Sequence, residues 1–144
     1  MKNILITGAS GFIGSAFVDE ALSRGFKVWA GVRETSSKRF LNNPGISFID
    51  IKYDNPDILK KQLDKQFEIY GKWDYVIHCA GLTKASRMSD FDKVNHLYTK
   101  NLVDALRLVG NVPEKFIYIS SLGVMGPGDD NASFVFDLSV NPEP

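Results

Sequence analysis

Cysteine is nearly missing from this sequence: Cys79 stands alone among 144 residues. A single thiol excludes an internal disulfide, and with only two histidines, His78 and His96, there is no cluster of metal-ligand spacing. No metal site is expected. Net charge is missing too, because 17 basic and 17 acidic side chains cancel. A neutral chain lacks the basic footprint of nucleic-acid binding, and Ser36-Ser37-Lys38-Arg39 and Lys60-Lys61 are too short to supply one. No apolar run approaches the roughly 18–20 residues of a membrane span. The chain enters a strand at Lys2, which leaves no room for a signal peptide. A cytoplasmic address is therefore expected, with neither membrane nor nucleic acid as partner. Internal repeats and low-complexity tracts are also lacking. At 44% hydrophobic and 24% charged, the composition is that of one soluble globular domain, long enough to bury about two-thirds of its unfolded surface.

What the sequence does contain is concentrated at its start. Lys2-Asn3-Ile4-Leu5-Ile6 is a short β-branched run, and Thr7-Gly8-Ala9-Ser10-Gly11-Phe12-Ile13-Gly14 follows at once. Ala16-Phe17-Val18 and Ala21-Leu22 then take a helical spacing, so the segment predicts strand, tight turn and helix. Gly8 lets the chain leave the strand with positive φ, Gly11 lets backbone approach a phosphate, and Gly14 lets the helix lie close to the sheet. The free N–H groups and positive end of that helix favour a pyrophosphate. Nucleotide binding is the expectation; a purely structural turn is the competing reading.

Beyond this turn, strands and helices alternate without a break in composition, which predicts a parallel sheet with helices on both faces. Strand two is read at Lys27–Val32, strand three at Ile46–Ile51, strand four at Trp73–Cys79 and strand five at Phe116–Ser120. Asn55-Pro56 opens a helix with Ile58, Leu59, Leu63 and Phe67 on one side. Phe91, Val94, Leu97, Tyr98, Asn101, Leu102 and Ala105 mark a further helix. The expected order is β-α-β-α-β-α-β-α-β, with a loop from Gly123 onward. A nucleotide would lie across the carboxyl ends of the strands, at the switch point beside strand one.

With these residues in place, the chain resembles the short-chain dehydrogenase/reductases, in particular their extended, epimerase/dehydratase-like branch. Thr7 to Gly14 matches the TGxxGxxG turn, including the Phe12-Ile13 pair before its last glycine. His78-Cys79-Ala80-Gly81 is similar to the H-x-A-G signature after strand four. Val94-Asn95 with Asn101-Leu102 and Ala105 resembles the fourth helix, and Ser120 to Gly126 resembles the serine segment after strand five. The resemblance implies a Rossmann-type, doubly wound parallel sheet of five strands, with residues 1–144 forming an NAD(P)-binding domain. It implies cofactor contacts from Gly8, Ser10, Gly11, Phe12, Ile13 and Gly14, and from Ala80 and Gly81. Lys84, in the following loop beside Thr83, would reach the ribose or substrate. Asn95 would order a water and the active-site lysine, although a plain helix-surface amide is an equal reading. His78 and Cys79 are read as buried core residues.

Cofactor choice turns on the end of strand two. The position that holds an acidic residue in NAD-selective relatives aligns with Val32, and Arg33 follows. Arginine suits a 2′-phosphate because its planar fork donates two hydrogen bonds at once, and Ser36, Ser37 and Lys38 add donors. NADP is therefore preferred over NAD. The competing reading makes Arg33 a solvated charge and turns Glu34 inward. The adenine end departs from the family pattern: Lys52 and Tyr53 align where an Asp-Leu pair is usual, with Asp50 and Asp54 on either side, and no adenine residue is assigned.

The family's chemistry is hydride transfer assisted by a tyrosine, whose pKa a neighbouring lysine lowers, with a serine to orient the substrate oxygen. Ser121 matches that serine, with Ser120 as the weaker candidate and a loop cap as the alternative. A Tyr-x-x-x-Lys pair would be expected beyond Pro144, and none of Tyr53, Tyr70, Tyr75, Tyr98 and Tyr118 is followed by such a lysine. The resemblance thus implies the nucleotide-binding part of a longer oxidoreductase, epimerase or dehydratase acting on a carbonyl, alcohol or sugar nucleotide, with the chain alone inactive. A non-catalytic nucleotide sensor or scaffold on the same fold is the alternative. An open sheet edge after strand five would favour a homodimer or other self-association.

Overall fold

The protein is described by a computed structural model, which covers residues 1–121. The elements are β1 (Asn3–Thr7), α1 (Phe12–Ser23), β2 (Lys27–Gly31), β3 (Ile46–Ile49), α2 (Pro56–Tyr70), β4 (Tyr75–His78), α3 (Met88–Phe91), a π-helical segment (Asp92–Leu97), α4 (Tyr98–Leu108) and β5 (Lys115–Tyr118). The strands pair in the order β3-β2-β1-β4-β5, and every pairing is parallel. Order reverses beside β1, where β2 departs to one side and β4 to the other.

Strand periodicity builds the two faces of the sheet. Ile4 and Ile6 point one way and Leu5 the other, as do Val28 and Ala30 against Trp29. One face packs with Val18 and Ala21 of α1 and with Leu41. The opposite face packs with Leu59 and Leu63 of α2, Leu102 and Leu106 of α4, and Trp73. Each fully buried aliphatic side chain contributes roughly 1.5–3 kcal/mol, so both faces drive folding and neither stands open to water in the middle of the sheet. Carbonyl and amide groups of buried β1 are consumed by its two parallel neighbours, which leaves its carboxyl end to feed the glycine turn.

Three expectations need correction. No helix joins β2 to β3: the connection runs through turns at 33–36 and 39–40, with Leu41 plugging into the core at 4% exposure. Its sequence offers no second apolar position at helical spacing. The α2 face is Leu59, Leu63 and Gln66, whereas Ile58 is 51% exposed. Asn55 fixes this phase by accepting the Ile58 N–H at 3.1 Å, with Pro56 in the first turn. The last helix is not regular, because Asp92–Leu97 winds as a π-helix and leaves Leu97 half exposed. The strand ends shift by only one or two residues. The Gly123 loop and the serine segment beyond Ser121 lie outside the described residues.

Candidate functional site

A cleft of about 320 Å³ opens over the carboxyl ends of the strands at the point where strand order reverses. Gly8, Ser10 and Gly11 line one side. Gly31, Val32, Arg33 and Ser36 follow from the end of β2, then Asp50, Ile51 and Tyr53 from beyond β3. The chain from His78 to Leu82, together with Val94 and Tyr98, closes the remaining wall.

The turn after β1 is built from close backbone contacts. Gly8 has φ 62°, and a Cβ there would lie 2.8 Å from the backbone of Cys79 and Ala80. A Cβ on Gly14 would collide with the Gly8 carbonyl oxygen and lie 2.8 Å from the Ala9 Cα. Thus Gly8 seats the turn against the β4 exit, and Gly14 seats the helix against the turn. The Gly11 N-cap supplies no side-chain cap, and the first turn of α1 carries no acidic residue. The leading N–H groups of a 12-residue helix are therefore left for a ligand, and an anion suits both their hydrogen bonding and the helix dipole. This cradle fits the pyrophosphate of a dinucleotide.

At the other end of the cleft the Arg33 guanidinium is exposed and has no ion pair among the described residues. Ser36 N–H donates to the Arg33 carbonyl at 2.9 Å, a turn that brings Ser36 back beside it. Glu34 does not line the cleft. Lys52 is turned into a salt bridge with Asp50 at 2.6 Å, so Asp50, Ile51 and Tyr53, rather than Lys52, face the cleft. Tyr53 stacks on Tyr98 with ring centroids 5.7 Å apart and an interplanar angle of 14°. The Asn101 side chain donates to the Tyr53 carbonyl at 2.8 Å and fixes the loop to α4. Burial pushes the Tyr53 phenol up, with a hydrogen bond to Thr7 opposing it.

At the β4 exit, His78 is 1% exposed and burial holds it at about 4, so it is neutral. Its Nδ1 lies 2.8 Å from Thr7 Oγ1 and its Nε2 lies 3.0 Å from Thr99 Oγ1. Thr7 Oγ1 also accepts the Ala80 N–H at 3.2 Å. Cys79 is half-buried beside the cleft, and burial raises its thiol to about 11, which keeps it protonated. Asn95 is used as a clasp: its Oδ1 accepts the Leu82 N–H at 2.7 Å and its Nδ2 donates to the Leu82 carbonyl at 3.1 Å.

Of the residues singled out in the sequence, Gly8, Ser10, Gly11, Arg33, Ala80 and Gly81 are brought together around the cleft. Gly14 lies beneath the turn. Phe12 and Ile13, 91% and 50% exposed, flank the helix start without lining the cleft. Lys84 is in the exposed loop, Asn95 stands behind it, and Ser121 is an exposed residue beyond β5. Sequence reasoning missed Asp50, Ile51, Tyr53 and Tyr98. The available signal was the Asp50-Ile51 pair directly after the apolar run of β3. The Tyr53–Tyr98 contact carries no local signal, because its partners sit on different elements. Among the described residues no group of His, Cys, Asp and Glu is placed to hold a metal, and no helix is long and apolar enough to cross a membrane.

Comparison with known proteins agrees with this geometry. The chain matches the NAD dependent epimerase/dehydratase family over residues 4–142. It is 31% identical over 152 residues to a decarboxylating sterol-4-alpha-carboxylate 3-dehydrogenase of Dictyostelium discoideum, covering 99% of this chain and 42% of that protein. Among solved structures it is similar to the UDP-glucose 4-epimerase of Thermotoga maritima with UDP-glucose. There the TM-score is 0.68 at 25% identity, over 85% of this chain and 38% of that one. The Thermus thermophilus UDP-glucose 4-epimerase in complex with NAD superposes with a TM-score of 0.61 at 27% identity, over 75% of this chain and 34% of that one. The chain thus spans less than half the length of each of these relatives. A parallel five-stranded sheet, a glycine turn under its switch point and a family match along almost the whole sequence place this chain in the NAD dependent epimerase/dehydratase family, the extended branch of the short-chain dehydrogenase/reductases.

Proposed function

We propose that the chain is the NAD(P)-binding part, residues 1–144, of an oxidoreductase, epimerase or dehydratase acting on a carbonyl, alcohol or sugar nucleotide, and that it prefers NADP. One observation carries this reading: a single cleft has an uncapped helix N-terminus at one end and, at the other, Arg33, which has no ion pair among the described residues. In this reading Gly8, Ser10 and Gly11 receive the pyrophosphate, assisted by the backbone of Phe12, Ile13 and Gly14. Arg33 and Ser36 receive the 2′-phosphate. Ala80 and Gly81 present small-residue backbone to the cofactor, Lys84 reaches the ribose from its loop, and Asn95 holds that loop in place. Ser121 orients the substrate oxygen. The bound cofactor would supply the hydride chemistry; the chain's own residues bind it, orient it and keep the cleft narrow. Sterol and sugar-nucleotide names among the relatives support the substrate range.

The chain by itself is expected to bind nucleotide without turning substrate over. Self-association through the β5 edge belongs to the same reading, as does a reducing, cytoplasmic address suited to its lone Cys79. Calorimetric titration with NADP⁺ and NAD⁺ at one fixed salt concentration tests the assignment. NADP⁺ should bind more tightly, and Arg33→Ala should weaken NADP⁺ by about tenfold or more while moving NAD⁺ little. Equal binding of the two by the unaltered chain would refute the Arg33 assignment and leave the cleft as an NAD site.

A further inference from the structure

His78 is neutral, sealed and unsuited to chemistry at the cleft, yet both of its nitrogens are engaged. The pattern of protons around it is nearly forced. Thr99 Oγ1 donates to the Asn95 carbonyl at 2.9 Å, so its single proton is spent and it must accept from His78 Nε2–H. Nδ1 is then a bare acceptor and takes the Thr7 hydroxyl proton. Thr7 Oγ1, its own proton given to His78, accepts the Ala80 N–H. The opposite tautomer would set a bare Nε2 against a Thr99 hydroxyl whose proton is already given to the Asn95 carbonyl.

The chain of donors therefore runs in one direction: Ala80 N–H to Thr7, Thr7 to His78, His78 to Thr99, and Thr99 to the Asn95 carbonyl. Asn95 in turn clasps both backbone groups of Leu82. These bonds join the end of β1, the β4 exit and the π-helical segment, the three stretches of chain that border the cleft near Ala80. We infer that His78 is a positioning residue for the nucleotide cleft: fixed as the Nε2–H tautomer, it sets the ligand-facing backbone of Ala80 and Leu82 from beneath. The inference rests on the nucleotide-binding reading of this cleft. It assigns a binding role to Thr99, which does not line the cleft at all and instead borders a separate surface hollow with His96 and Lys100.

Thr99 gives the cleanest test, because valine keeps its shape and removes the hydroxyl. Thr99→Val is expected to weaken NADP⁺ binding by about tenfold, while Thr99→Ser, which keeps the hydroxyl, stays within about twofold of the unaltered chain. The Leu82 and Ala80 amides should exchange with solvent faster in Thr99→Val, with core amides of β1 unchanged. Nitrogen NMR of His78 in the free protein should report one tautomer, protonated at Nε2. Unchanged affinity in Thr99→Val would overturn the proposal, as would equal weakening by valine and serine, since that result assigns the effect to packing. An Nδ1–H tautomer or a mixture would also overturn it. If the unaltered chain binds neither dinucleotide, the functional reading fails, and the tautomer and the Leu82 exchange rates still decide whether the coupling exists.

Discussion

At the scale of single residues, the glycines of the first turn separate folding from binding. Gly14 has backbone atoms on the far side of its missing Cβ, so nothing flexible can yield. Gly14→Ala is expected to cost about 3 kcal/mol of stability, read as a lower midpoint in urea. Gly11 faces only the Gly8 carbonyl oxygen, 3.3 Å from its absent Cβ. Gly11→Ala should fold nearly as well as the parent and lose affinity for dinucleotide, as measured by calorimetry; a large loss of stability with affinity intact would reverse the two roles. His78 supplies a pH signature at the same scale. Its folded value of about 4 lies below the ordinary 6.5, so the unfolded chain takes up a proton that the folded chain refuses. Stability is then highest above pH 6.5, declines as pH falls, and has lost about 3 kcal/mol from this group by pH 4. Urea midpoints at pH 7 and pH 5 should differ accordingly, and His78→Gln should flatten that slope.

At the scale of elements, the sequence pattern identified each of the strands among the described residues, and these fell where β-branched runs meet Gly, Asn or Pro. Helix phase was less legible. The spacing from Phe91 to Ala105 suits a regular α-helix, but the π-helical turn inserts extra backbone, so Val94 faces the cleft while Leu97 faces out. No local residue announces that turn; it is stabilised by Asn95 reaching Leu82, which is distant in the chain. In α2 the buried Gln66 stands where the pattern placed an apolar neighbour. Its role emerges only in three dimensions, because Asn111 donates to its Oε1 at 3.1 Å and accepts the Trp73 N–H at 3.0 Å. Asn111 is fully buried and so joins the end of α2 to the approach to β4. Asn111→Leu leaves both partners unpaired and is expected to destabilise by about 3 kcal/mol. A loss below about 0.5 kcal/mol in urea unfolding would mean that water replaces it.

At the scale of the whole molecule, the parallel sheet and the cleft position were legible because they follow from alternation and from the place of the first turn. The hydrogen-bonded unit around His78 was not, because Thr7, His78 and Thr99 come from three separate elements. The β5 edge has its own consequence. β5 is an outer strand among the described residues, and Ile117 and Tyr118 are 45% and 47% exposed. Unpaired strand edges with apolar side chains recruit further chains. Sedimentation velocity over a range of concentrations should therefore show reversible self-association, and Ile117→Lys should reduce it. A monomer at every concentration would remove the β5 edge as an association surface.

Parallel strands also give the molecule two unlike ends. Every residue assigned to the cleft lies at or beyond the carboxyl end of a strand, while the amino ends carry Lys2 bridged to Glu114 at 2.6 Å and a Met1 that is 97% exposed. A tether fixed at the first residue would leave the chain on the side remote from the cleft. Surface-captured protein would then hold its binding face towards the flowing solution, all copies alike. Dissociation rates of dinucleotides could be followed directly on such a surface, and the same end is the natural place to join a second protein module without obstructing the first.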